Sequence, residues 1–181
     1  MGLLLGVALH GADGLVRLHG RGGRKFGLIR GARSAVRLRG APPVAGIVIA
    51  NEYLDALPFD IFVGRSGAPS GFAERCVGLA DDRTTRIWVE RALDSDRARR
   101  VLDRFGAPLA EGQLAEACFA IDPWFREVTT RVSDGLVVVI DYGRDGALLR
   151  DARSRMAGTA LAYQGHRATA DLLSEPGERD L

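Results

Sequence analysis

The stretch Ile47–Phe62, IVIANEYLDALPFDIF, decides how this chain is read. Ile47-Val48-Ile49-Ala50 is wholly apolar and largely β-branched, which predicts a short strand buried on both faces of a parallel sheet. The run stops at Asn51-Glu52, and Tyr53–Leu57 predicts a helical turn that Pro58 ends. In open α/β sheets the residues just past the carboxyl end of a strand line the ligand crevice. An amide and a carboxylate stand at that point, which makes Asn51 and Glu52 candidate site residues. Local chemistry allows a second reading, with Asn51 capping a helix and Glu52 favoured in its first turn by the helix dipole.

A matching signal lies downstream. Leu136–Asp141, LVVVID, predicts a second parallel-type strand, entered through a Ser133-Asp134-Gly135 turn and ending in Asp141-Tyr142-Gly143. Asp141 and Tyr142 are therefore candidates for the same crevice, although Asp141 can equally bond a backbone N–H in its own turn. Between the two strands the pattern changes. Phe59–Val63 predicts a strand, and Phe72–Leu79 with Thr84–Leu93 an antiparallel pair turned at Asp81-Asp82-Arg83, with Trp88 on a core face. Asp94–Phe105 predicts a helix that Ser95 or Asp94 can cap, with Val101, Leu102 and Phe105 on its apolar side, Arg97, Arg99 and Arg100 solvated, and Gly106 as its stop. Gln113–Phe119 reads as a strand, and Trp124–Val132 as a helix that Asp122 caps and Pro123 opens. Leu148–Met156 predicts a short helix and Gly158–Tyr163 a strand leading into Gln164-Gly165-His166-Arg167.

Composition bounds the rest. With 46% hydrophobic and 27% charged residues over 181 positions, the chain matches an ordinary globular domain. Its net charge of +2 hides an asymmetry, since residues 1–40 carry eight basic groups against Asp13 alone and the remainder 17 basic against 22 acidic. That leader holds a glycine at ten positions, and a GRGG run at Gly20–Gly23 lacks the spacing of a phosphate loop. A basic, glycine-spaced segment can neutralise phosphates, but Phe26 is its only aromatic, so it lacks a stacking platform and nucleic acid is not the leading partner. Cys76 and Cys118 form no CxxC or Cys/His cluster, so no zinc site is expected and both read as small buried thiols. No apolar run approaches the roughly 20 residues that span a bilayer, and Leu3–Leu9 lacks the flanks of a signal peptide, so a cytoplasmic protein is expected.

Four blocks, in order, resemble the MidA or mitochondrial complex I assembly-factor family of S-adenosylmethionine-dependent methyltransferases. They are Ala50–Pro58 (ANEYLDALP), Leu136–Gly143 (LVVVIDYG), Gly158–Arg167 (GTALAYQGHR) and Pro176–Leu181 (PGERDL). The resemblance runs from about Val44 to the last residue. It implies an α/β fold: a partial Rossmann-like class I methyltransferase sheet with inserted antiparallel strands. It further implies S-adenosyl-L-methionine as cofactor, an arginine on a protein as methyl acceptor, and a respiratory-complex subunit as that protein. On this reading Glu52 grips the guanidinium, Asn51 orients it at the cofactor, and Asp55 adds a second carboxylate if it is not merely solvated. Asp141, Tyr142 and His166 line the substrate side, His166 being otherwise a structural residue. The family's glycine-rich loop, and the acid that ends its second strand, have no match in the 46 residues before Ile47. Residues 1–40 are accordingly expected to be a leader foreign to the family, and 41–181 the truncated C-terminal part of the domain. The alternative function is an inactive binding or assembly protein that keeps the substrate-facing half of the fold.

Overall fold

The computed structural model describes residues 7–19, 25–35, 43–175 and 177–179. The Gly20–Gly23 run, Pro42, and Pro176, Asp180 and Leu181 of the last family block lie outside them. The chain divides into two compact units, one made of Phe59–Cys118 with Arg144–Leu181, the other of the segment up to Pro58 with Phe119–Gly143.

The second of these holds a four-stranded sheet. β1 (Val7–His19) and β2 (Lys25–Ala35) are antiparallel, β3 (Val44–Asn51) lies beside β1, and β8 (Val132–Ile140) closes the order β2-β1-β3-β8. β1 and β2 are long, at 13 and 11 residues. The expected parallel pairing is present: β3 and β8 run together from Ile47 opposite Leu136 to Asn51 opposite Ile140. Helix α2 (Ile121–Arg131) packs on one face, where Val48, Ala50, Trp124 and Val128 form the core with Val137 and Val139 against them. Each fully buried aliphatic side chain there contributes about 1.5–3 kcal/mol.

Burial on both faces does not hold. Ile47 and Ile49 are 41% and 37% exposed, and Leu136 and Ile140 on the same side 62% and 54%. A strand alternates its side chains, and among the described residues α2 covers one side of this pair only. The Ser133-Asp134-Gly135 turn is also absent, because β8 begins at Val132, directly after the helix. Gly135 makes this possible: a Cβ there would lie 1.7 Å from the carbonyl oxygen of Gly46 on β3, so only glycine lets the strands close. The helix starts three residues earlier than Trp124, with Ala120 at the cap, so Asp122 sits inside the first turn and complements the dipole instead of capping.

The other unit is the insertion. β4 (Asp60–Gly64), β5 (Phe72–Leu79), β6 (Arg86–Ala92) and β7 (Leu114–Ala117) form an antiparallel sheet in the order β6-β5-β4-β7. Helix α1 (Ser95–Phe105) is capped by Asp94, whose carboxylate accepts the N–H of Arg97, and ends in left-handed Gly106. It buries Val101 and Phe105, and Phe105 meets Phe62 and Phe72 edge-on at 5.9 and 6.0 Å. Leu102, expected on that face, is 43% exposed, since Val101 and Phe105 are four apart and Leu102 falls 100° to one side. Arg97 is not solvated: it reaches Asp60 at 2.5 Å and Glu74 at 3.2 Å with its guanidinium over the Phe62 ring. Trp88 is not in the core but half-exposed under the guanidinium of Arg75, 4.8 Å from the ring centre. Cys76 and Cys118 are half-buried free thiols. α3 spans only Gly146–Leu149, because Asp151 draws the N–H groups of Ser154 and Arg155 to its carbonyl in a new turn. β9 (Ala162–Gln164) and β10 (Arg167–Thr169) make a hairpin about Gly165-His166.

Candidate active site

The parallel register brings the carboxyl ends of β3 and β8 side by side, so the two polar endings fall together. Glu52 follows directly. Its backbone sits at φ 47°, a left-handed conformation that costs a side-chain-bearing residue about 1–2 kcal/mol. Its N–H donates to the carbonyl oxygen of Ile140 at 2.7 Å, which pins this conformation to the end of β8. Such strain concentrates where a side chain must be aimed.

No helix follows Asn51. Residues Tyr53–Leu57 form a turn closed by the N–H of Leu57 on the carbonyl of Leu54 at 3.2 Å, so the helical turn and the capping role for Asn51 both lapse. The free N–H groups of this turn are met by Asp141 instead. Its Oδ2 accepts from Leu54 at 2.7 Å and Asp55 at 3.2 Å, while Oδ1 accepts from Tyr142 at 2.8 Å. With both oxygens on backbone N–H groups, Asp141 ties the two strand ends into one loop pair. The Tyr142 hydroxyl then donates to Oε1 of Glu52 at 3.3 Å, with its ring 80% exposed.

Three carboxylates, Glu52, Asp55 and Asp141, thus share one crevice. Among the described residues no arginine pairs with any of them. The electrostatic consequence is visible on Asp55 itself and on Tyr142. Asp55 is raised above the usual carboxylate range by lost hydration and then by the charges of Asp141 and Glu52. Tyr142 is raised by the charge of Glu52 and by its hydrogen bond to it. A group of carboxylates at two strand ends, with no arginine partner among the described residues, is chemically suited to receive a cation.

Asn51, Glu52, Asp55, Asp141 and Tyr142 are therefore neighbours. His166 belongs to the other unit, at φ 66° in the β9–β10 turn beside Gly165 at φ 53°. Two left-handed residues make this a type I′ hairpin turn. Tyr53 was given no role by the sequence. Tyr53 stacks on Trp124 at 5.2 Å and is held above its ordinary range by burial and by Glu127, so the turn carrying Asp55 is anchored on the core. An aromatic directly after the Asn-Glu pair, with a tryptophan in the next helix of the same unit, was the available signal.

The nucleoside side of a methyl-donor site is another matter. β1 runs antiparallel to β3, with Val7 opposite Ala50, so its amino end lies at the crevice. A backbone cradle for the cofactor belongs at the carboxyl end of a strand, and the end of β1 beside the carboxyl end of β3 is its amino end.

No curated protein matches the chain. Two solved structures from Burkholderia thailandensis do, both COG1565 superfamily proteins. One, crystallised bound to S-adenosyl-homocysteine, is 28% identical over 78% of this chain with a TM-score of 0.67; the other, a native structure, is 27% identical over 76% with a TM-score of 0.67. This chain spans 35% of the length of each. No helix among the described residues is long and apolar enough to cross a membrane. The family model described as "Putative S-adenosyl-L-methionine-dependent methyltransferase" matches residues 35–181, and with the α/β fold and its inserted antiparallel sheet this chain belongs to that S-adenosyl-L-methionine-dependent family.

Proposed function

We propose that this chain supplies the acceptor side of a methyl transfer to a protein arginine, as in the MidA group of complex I assembly factors, acting in the cytoplasm on a respiratory-complex subunit. The observation that carries the reading is Glu52: a carboxylate held in a strained backbone conformation, without an arginine among the described residues, at the joined ends of β3 and β8. S-adenosyl-L-methionine, the donor of the family, supplies an electrophilic methyl group.

The chain's own residues then have these tasks. Glu52 accepts two N–H bonds from the planar guanidinium, fixing its plane and drawing positive charge toward the gripped nitrogens. Tyr142, bonded to Oε1, limits rotation of that carboxylate. Asp55 adds charge at the rim, and Asn51 aligns the free nitrogen toward the donor. Asp141 positions the loops without touching the acceptor.

The test is calorimetric titration of the 181-residue chain with an arginine peptide and its lysine counterpart, repeated in Glu52→Gln. Loss of one charge-assisted pair is expected to weaken arginine binding about tenfold or more. Equal affinity of the variant, or equal binding of the lysine peptide, sinks the clamp. Methyl transfer from labelled donor, abolished in the same variant, extends the test to catalysis.

The antiparallel course of β1 favours a second reading, a non-catalytic protein that keeps the acceptor crevice to hold a partner. It predicts arginine-peptide binding with no heat from S-adenosyl-homocysteine in a folded sample.

A further inference from the structure

β6 is the edge strand of its sheet, paired among the described residues with β5 alone. The hairpin it forms with β5 carries apolar side chains into solvent: Val77 and Leu79 are 55% and 59% exposed, Ile87 and Val89 both 37%. An exposed apolar edge is a standing template for another strand, and stable proteins blunt it or use it.

The main-chain pattern says which groups are free. The N–H of Ala80 donates to the carbonyl of Thr85 at 2.9 Å, so the 80/85 pair is hydrogen-bonded. Antiparallel ladders alternate, so Ile87, Val89 and Arg91 turn their N–H and C=O groups to β5, and Arg86, Trp88 and Glu90 turn theirs outward. The side-chain order is Arg86-Ile87-Trp88-Val89-Glu90, which is self-complementary when reversed. Antiparallel pairing with an identical strand about Trp88 sets Arg86 against Glu90 of the second copy, Ile87 against Val89, and Trp88 against Trp88. It also uses the outward main-chain groups in register. Sliding the centre to Val89 would oppose Ile87 to Arg91 and Trp88 to Glu90; sliding it to Ile87 would oppose Arg86 to Trp88. Only the Trp88 centre satisfies charge, apolar contact and hydrogen-bond parity together.

We propose that two copies of this chain associate through β6 about a two-fold axis at Trp88, joining two four-stranded sheets into one of eight. The interface is isologous, as a two-fold contact requires. Glu90 is already oriented for it, since Arg65 grips it through Nε at 2.8 Å and a terminal nitrogen at 2.5 Å. Arg86 of the second copy completes an Arg-Glu-Arg bridge at each end of the seam.

Sedimentation equilibrium of the 181-residue chain tests this, using Arg86→Glu and Glu90→Arg. Each variant alone places two like-charge pairs across the seam, and its association is expected to fall about tenfold or more. An equimolar mixture restores both attractive pairs, so association returns to the unsubstituted level. Trp88→Pro removes an N–H that β5 does not use, and is expected to abolish association while the far-ultraviolet spectrum and melting curve stay those of a folded chain. An unsubstituted chain that stays monomeric up to its solubility limit overturns the proposal. So does a dimer that the swaps leave unchanged, or one that mixing does not restore.

Discussion

Carboxylates are used in opposite ways in the two units. In the inserted sheet each one described here is matched. Glu74, buried, meets Arg91 at 2.6 Å and Arg97 at 3.2 Å. Burial pushes it up, but the two arginines outweigh that and hold it below the usual range. Glu111 accepts the N–H and hydroxyl of Ser66 and pairs with Arg65, and Asp82 accepts from Thr84 and Thr85 in the β5–β6 turn. At the ends of β3 and β8 the same residue type lacks a cation among the described residues; Asp55 is raised by lost hydration and then by Asp141 and Glu52, and Tyr142 by the charge of Glu52. A carboxylate matched within the fold stabilises the fold; an unmatched one is available to a ligand at a cost in stability.

That contrast can be broken most directly at Glu74. Replacing it by Ala removes one carboxylate partner of Arg97 and the partner described for Arg91, and the loss is expected to be about 2–3 kcal/mol in urea unfolding at neutral pH. A loss below about 0.5 kcal/mol would mean that the network is no more than a surface ion pair. The converse holds at Glu52. Glycine there relieves the left-handed backbone, so Glu52→Gly is expected to gain about 1 kcal/mol while arginine-peptide binding disappears. A destabilised variant would mean that Glu52 serves the fold and not a ligand.

The smallest effect is in pH dependence, and its sign differs between the units. Glu74, with its folded pKa depressed, stabilises fully above the unfolded value near pH 4 and loses that contribution as pH falls through the folded value. Asp55, with its folded pKa raised, binds more protons folded than unfolded, so its contribution is present below about pH 4 and lost as pH rises through the folded value. Asp55→Asn is therefore expected to stabilise slightly at pH 7 and not at pH 3.5. Urea midpoints at the two pH values check this, and equal shifts at both would remove the electrostatic account of the crevice.

The β3–β8 pair was legible because an unbroken β-branched run followed by polar residues is what a strand entering a crevice requires. The capped helix α1 was legible from Asp94 and Gly106, whose roles are local. The α2–β8 junction was not. Ser133-Asp134-Gly135 has turn chemistry, and only the approach of Gly46 on a distant strand turns Gly135 into a strand residue. Arg97 was misread for the same reason, since nothing near it in the chain announces Asp60 or the Phe62 ring.

The class of fold, the two strand ends and the acidic residues that stand at them were readable from the chain alone, because apolar period and chain punctuation are local properties. Which carboxylates are matched follows from the packing of strands far apart in the chain. Asp141 and Asp55 look alike in the sequence. Pairing of β3 with β8 puts both oxygens of Asp141 on backbone N–H groups and leaves Asp55 facing two other negative charges. Whether a charge holds the fold or waits for a ligand depends on what the register sets across from it, and register is a property of the whole sheet.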